Sequence, residues 1–235
     1  MRTLGAKRRG TLSYNRDMAI SPQDRARRIK IIIFDVDGVF TDGTIWLVPG
    51  VHNGSEVLDG ISDMHSKDIG FGVQSKTMVE AKGYSAHDGL GISLARMGGL
   101  KCGIITKRIS ETVATRARDL KLEFIYQGQA FKMHAVRDIC EKEGVTLDEI
   151  CYVGDDIIDL PVMRKCGFAV AVANARPQVK AEAHYVTPNG GGYGAGRDAI
   201  EFILDAKGIL SQVTESYLDE SQSIAQSLDL GAQRS

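Results

Sequence analysis

Five short runs of apolar, largely β-branched residues recur along the chain, and between them the apolar spacing turns helical. That alternation restricts the fold more than any other feature. The first run, Ile29-Lys30-Ile31-Ile32-Ile33-Phe34, is nearly all apolar, as expected of a strand covered on both faces in a parallel sheet. Similar runs lie at 102–105, 123–126, 150–153 and 168–172. Between them, Leu90, Leu94 and Met97 fall on one helical face, with Ile92 near it. Ile109, Val113, Ala117 and Leu120 form a second such stripe, and Met133, Val136 and Ile139 a third. A further helix is expected over 156–166. Strand–helix alternation predicts an α/β fold, a Rossmann-like parallel sheet flanked by helices.

Local signals add detail. Thr146 and Glu149 have capping-box spacing and mark a short turn before the fourth run. Asn189 to Gly196 is a glycine-rich loop, followed by a helix to about residue 207. Residues 44–87 break the alternation. Thr44–Val48 and Phe71–Tyr84 read as two strands, so the segment is expected to be a β-hairpin excursion after the first strand, with an enlarged tip. The expected organisation is a basic, flexible arm over 1–28, a main domain over 29–208, and a tail over 209–235 that is helical near Ile209, Val213, Tyr217 and Leu218.

Composition excludes several classes. The 235 residues carry a net charge of -1, without the basic excess of a whole-chain nucleic-acid binder. Residues 1–30 hold nine Lys or Arg against Asp17 and Asp24, which reads as a solvated arm. No run is long and apolar enough to span a bilayer, and the arm has no apolar stretch of the kind a secretory signal needs. Cys102, Cys140, Cys151 and Cys166 form no Cys-x-x-Cys pair, so a reducing, cytoplasmic setting is expected.

The chemistry gathers at strand ends. Asp35 and Asp37 follow the first strand directly, where ligands collect in open α/β sheets. Two carboxylates so close repel unless a cation or a shared proton intervenes, and Mg2+ meets that need. A lone Asp-x-Asp is also common in surface turns. A second acidic cluster, Asp155, Asp156 and Asp159, closes the strand at 150–153. Neighbouring strands would bring the two clusters together, with Asp155 on the metal and Asp159 orienting it. N-capping of the next helix is the competing explanation. Thr106 ends another apolar run, either to bond a phosphate oxygen or to cap the helix near Ile109. Lys132 either faces solvent or offsets the carboxylates and holds a phosphoryl group.

In order, these pieces resemble the four motifs of the haloacid dehalogenase superfamily. The likeness narrows with Asp35-Val36-Asp37-Gly38-Val39-Phe40-Thr41-Asp42-Gly43, His87-Asp88-Gly89-Leu90-Gly91-Ile92, Tyr126-Gln127-Gly128, Tyr152-Val153-Gly154-Asp155-Asp156, Pro161-Val162-Met163 and the run from Gly191 to Arg197. Together they resemble the 3-deoxy-D-manno-octulosonate 8-phosphate phosphatases over about residues 29–208. The resemblance implies a magnesium-dependent phosphatase without a large cap domain. Asp35 would be the nucleophile and Asp37 the acid–base. Thr106 and Lys132 would hold the phosphoryl group. Mg2+ would sit on the Asp35 and Asp155 side chains and the Asp37 carbonyl, with Asp156 and Asp159 behind it. Lys82, His87, Arg108 and Arg197 would meet a phosphorylated sugar acid. It also implies a homotetramer with active sites at subunit interfaces, acting in lipopolysaccharide precursor synthesis. A nine-carbon, sialic-type sugar acid 9-phosphate is the variant substrate, and a non-catalytic oligomerisation module the other alternative. The chain departs from the family pattern at Lys107, where glycine is usual, at His87, where arginine is commoner, and in the longer excursion.

Overall fold

The computed structural model describes residues 20–50 and 78–219. Six strands form one parallel sheet in the order β5-β4-β1-β6-β7-β8: β1 (Ile31–Phe34), β4 (Lys101–Ile105), β5 (Phe124–Tyr126), β6 (Ile150–Gly154), β7 (Phe168–Ala171) and β8 (Tyr185–Val186). β1, β6 and β7 are buried throughout. All five apolar runs are therefore strands, and β1 lies at the centre between β4 and β6. β8 is the strand that sequence patterning did not anticipate; at two residues it has too little pattern to read.

Helices cover the sheet: α2 (Ala86–Met97), α3 (Glu111–Asp119), α4 (Lys132–Glu143), α5 (Leu160–Met163), α6 (Pro177–Glu182), α7 (Ala195–Ala206) and α8 (Leu210–Leu218). The Thr146/Glu149 capping box is present, before a 3-10 turn at Leu147–Glu149. On α2 the buried face differs from the expected stripe. Gly91, Ile92, Leu94 and Ala95 are buried, while Met97 is exposed. The reason is close packing on α7: a Cβ on Gly91 would lie 3.1 Å from the Arg197 Cα.

Two expectations are corrected. The helix expected over 156–166 shrinks to α5, because Asp159 folds its carboxylate back onto the preceding backbone. The end of the supposedly flexible arm is a helix, α1 (Pro22–Arg27), packed on α7 with Ala26 buried. Ser21 accepts from the Asp24 N–H and Pro22 opens the first turn, a start signal that outweighs the local charge. Residues 1–19 lie outside the described residues.

The excursion begins and ends as a hairpin. β2 (Trp46–Pro49) pairs antiparallel with β3 (Met78–Ala81); the tip, 51–77, lies outside the described residues. Trp46 is 62% and Leu47 51% exposed, and Val48 and Val79 are exposed as well.

Candidate active site

The sheet topology places the two acidic clusters side by side. Phe34 of β1 pairs with Val153 of β6, and the Asp35 N–H bonds the Val153 carbonyl at 3.0 Å. The chain then turns at once, with the Val36 carbonyl accepting from the Val39 and Thr41 N–H groups. Gly38 sits in that turn at φ +94°, and a Cβ there would collide with the Asp155 carboxylate. Only glycine meets both conditions.

Lys132 stands at the centre. It is 2% exposed, and its ammonium lies 2.7 Å from Asp35 Oδ2 and 2.7 Å from Asp159 Oδ1. Asp159 is fully buried and both its oxygens are engaged. Oδ1 accepts from Lys132 and from the Tyr152 hydroxyl at 2.8 Å; Oδ2 accepts from the Asp155 and Asp156 N–H groups at 3.0 and 3.2 Å. Asp159 thus fixes the lysine and the β6 turn, and has no lone pair well placed for more. Asp35 is 6% exposed, with Oδ1 accepting from the Val36 N–H at 2.7 Å.

Electrostatics separate the roles. Burial pushes Asp35 up to about 6, against the pull of Lys132. Burial, with Asp35 and Asp159 adding repulsion, pushes Asp155 up to about 8. Burial works to lower Lys132, but the two carboxylates beside it hold it above its ordinary value. Ligand oxygens of Asp35, Asp155 and Asp159 lie within 4.8 Å of one another. Ionising all three carboxylates against one ammonium leaves two negative charges uncompensated. Asp155 Oδ1 is buried with no hydrogen-bond partner. An all-oxygen set, a deficit of two charges and an orphaned carboxylate oxygen fit a hard divalent cation such as Mg2+. Asp35 and Asp155 offer the side-chain oxygens, since those of Asp159 are spent.

Asp37 lies apart from this cluster. Its Oδ1 binds Lys82, and its Oδ2 lies 3.8 Å from Arg108 Nε. Glu80, at the end of β3, bridges the same two cations: Oε2 binds Arg108 at 2.6 Å and Oε1 lies 3.5 Å from Lys82. The Lys82 side chain is wholly covered. Lys82 and Arg108, expected to face substrate, are thus both engaged with Asp37 and Glu80.

Thr106 is buried and its Oγ1 accepts from the Arg108 N–H at 3.3 Å. The N-cap of α3 is Ser110, so Thr106 is free of that duty. Asp156 is on the exposed rim, its Oδ1 bound to the Ile157 N–H; only its backbone joins the Asp159 cradle. His87 and Arg197 sit together where α2 meets the start of α7, away from the carboxylate cluster in their contacts. Asp88 Oδ1 accepts the Arg197 N–H at 2.9 Å, the Arg197 side chain binds Glu201, and His87 is exposed beside Gly194.

Sequence reasoning gives no role to Glu80, Tyr152 or Asn174. Tyr152 reads as one more buried strand residue. Asn174 Oδ1 accepts the Gly191 N–H at 2.7 Å, seating the glycine loop against the turn after β1. In that seat a Cβ on Gly191 would collide with the Gly38 carbonyl, and one on Gly192 would lie 2.5 Å from the Asp42 N.

Fold and site define a hydrolase of the haloacid dehalogenase type, and a family model for haloacid dehalogenase-like hydrolases matches residues 102–191. The 3-deoxy-D-manno-octulosonate 8-phosphate phosphatase KdsC of Escherichia coli K12 is 36% identical over 188 residues, 80% of this chain and 86% of that protein. The corresponding phosphatase of Moraxella catarrhalis, solved with magnesium, phosphate and KDO, superposes with a TM-score of 0.69 at 31% identity, covering 83% of this chain and 97% of that one. A cobalt-bound relative from Haemophilus influenzae gives 0.66 at 29% identity, covering 83% and 99%. The chain belongs to the 3-deoxy-D-manno-octulosonate 8-phosphate phosphatase family of haloacid dehalogenase-like hydrolases and is a phosphoric monoester hydrolase.

Proposed function

We propose that this enzyme hydrolyses 3-deoxy-D-manno-octulosonate 8-phosphate to the free sugar acid and inorganic phosphate, in the cytoplasm, as a step toward lipopolysaccharide. The observation that carries the reading is the buried pair of Asp35 and Lys132 beside the orphaned Asp155 oxygen. The likeness to relatives bearing that name supplies the substrate.

The Asp35 carboxylate attacks phosphorus as the bond to the sugar oxygen breaks, giving an aspartyl-phosphate. Asp37 protonates the leaving oxygen, then takes a proton from the water that frees phosphate and restores Asp35. Lys132 and the Thr106 hydroxyl hold phosphoryl oxygens, because phosphoryl transfer is catalysed mainly by positioning and charge neutralisation. Mg2+, held by the Asp35 and Asp155 side chains and the Asp37 carbonyl, would supply charge for the phosphoryl oxygens. Asp159 acts from behind, fixing Lys132. His87 and Arg197 meet the sugar-acid end. The exposed apolar face of β2 and β3 supports a homotetramer built through the hairpins, with active sites at subunit interfaces.

Phosphate release from 3-deoxy-D-manno-octulosonate 8-phosphate and from a nine-carbon sugar acid 9-phosphate, with Mg2+ and with chelator, tests this reading. The eight-carbon substrate should be preferred. Chelation and Asp35→Asn should each remove at least about 10^4-fold of the activity. Turnover that survives either treatment would refute the mechanism. No turnover of either substrate by the wild type would favour the oligomerisation module.

A further inference from the structure

We infer that Glu80 is a positioning residue for this reaction, acting through Lys82 and Arg108 on the acid–base Asp37; the inference rests on the role proposed above for Asp37. Four charged groups from three segments meet here. Asp37 comes from the turn after β1, Glu80 and Lys82 from the end of β3, and Arg108 from the loop after β4. Two acids and two bases sum to zero. Each cation touches both acids: Lys82 binds Asp37 and lies 3.5 Å from Glu80, while Arg108 binds Glu80 at 2.6 Å and lies 3.8 Å from Asp37.

The weaker contacts show how the cassette divides its labour. Arg108 makes its close bond to Glu80, not to Asp37, and its Nε has no hydrogen-bond partner. Lys82 makes its close bond to Asp37. Glu80 is therefore the anchor of Arg108 and the second neighbour of Lys82. The Glu80 side chain is only 8% exposed, and the Lys82 side chain not at all, so water cannot substitute for either partner. The Glu80 backbone is fixed independently, its carbonyl accepting from the Thr112 hydroxyl of α3 at 2.9 Å. Without the Glu80 carboxylate, both cations lose an anchor, and Asp37 is left as the sole anion between two long cationic side chains. Its carboxylate would then settle on the cations instead of on the leaving oxygen.

A positioning role predicts a dependence on the leaving group. An alkyl phosphate needs a placed proton donor to depart, whereas p-nitrophenol departs without one. Glu80→Gln keeps the shape and one acceptor. It should lower kcat/KM for 3-deoxy-D-manno-octulosonate 8-phosphate by about 10–100-fold, mostly in kcat, and that for p-nitrophenyl phosphate by less than about threefold. The second substrate doubles as the control for folding. Asp37→Asn, run in parallel, should show the same selectivity more strongly. Equal losses on both substrates, no loss on either, or a loss confined to KM would each overturn the role given to Glu80. A discriminating Asp37→Asn beside a non-discriminating Glu80→Gln overturns that role alone. An Asp37→Asn that fails to discriminate refutes the acid–base assignment and takes this inference with it.

Discussion

The two ends of the active site are built differently. At the end proposed to hold the phosphoryl group, Asp35, Lys132, Tyr152 and Asp159 are buried, lie on or next to β1, β6 and the starts of α4 and α5, and are joined by bonds of 2.7 to 2.8 Å. At the end proposed to meet the sugar acid, His87 is exposed and Arg197 is bound to its own helix, while the hairpin presents Trp46 and Leu47 outward. At the first end the parallel sheet sets the backbone and a single lysine ties the charges. The second depends on side chains whose partners are local. The residues proposed for the chemistry are thus built into the core, while those proposed to select the sugar stand at the edge.

The sharpest way to break that contrast is to cut its central tie. Lys132→Met keeps the bulk of the side chain but leaves Asp35 and Asp159 without their cation. Steady-state assays should show a loss of about 10^3-fold or more in kcat. Urea denaturation should show a loss of about 3–5 kcal/mol, the usual consequence of stranding a buried charge. A variant that stays stable and active would mean the phosphoryl end does not depend on its buried ion pairs.

The hairpin offers a milder test at the other end. Leu47→Lys puts a charge on β2, whose four residues are all exposed. The thermal midpoint of the isolated subunit should barely move, because no core contact is lost. Light scattering should show a fall in mass toward the monomer, with kcat/KM on the sugar phosphate down by about tenfold. Unchanged mass and rate would show that the two ends do not communicate through assembly.

The smallest expected effect is at Asp88, beside His87 and Arg197. It is buried on α2 and caps the first turn of α7 through the Arg197 N–H, with Oδ2 unpartnered. Burial raises it from 3.8 to about 6. A raised acid contributes stability at low pH that is lost as pH climbs through the folded value. From pH 4 to 6 the unfolded chain gives up the proton while the folded one keeps it, at a cost of at most about 3 kcal/mol. Asp88→Asn should therefore be close to neutral at pH 4 and stabilising by about 1–3 kcal/mol at pH 8 in urea melts. A stabilisation that is the same at both pH values would show that charge is not what strains the site.

The contrast also explains what could be read in advance. A strand buried on both faces leaves a run of Ile and Val in the sequence, so β1, β4, β6 and β7 were legible, and Asp35 and Asp155 with them. Lys132 was legible only through its place in an ordered set of motifs; by itself an early-helix lysine suggests solvent. The cassette of Asp37, Glu80, Lys82 and Arg108 was not legible as such, since nothing local marks residues 37, 80 and 108 as neighbours. α1 carries its own start signal in Ser21, Pro22 and Asp24, which the basic charge of the segment masks. The short α5 follows from a single carboxylate, Asp159, bonding backward, which no periodicity reports.

The glycine loop carries a consequence for how the protein can be cut or diversified. Gly191 and Gly192 rest against the backbone of Gly38 and Asp42, so two segments some 150 positions apart interlock backbone to backbone, with the Asn174 side chain bridging Gly38 and Gly191. A fragment ending before this loop would keep Asp35, Lys132, Asp155 and Asp159 and still lack the wall that shapes the first turn. In a saturation library, positions 38, 191 and 192 should tolerate change as poorly as the carboxylates proposed to react, though none of them has a side chain to offer.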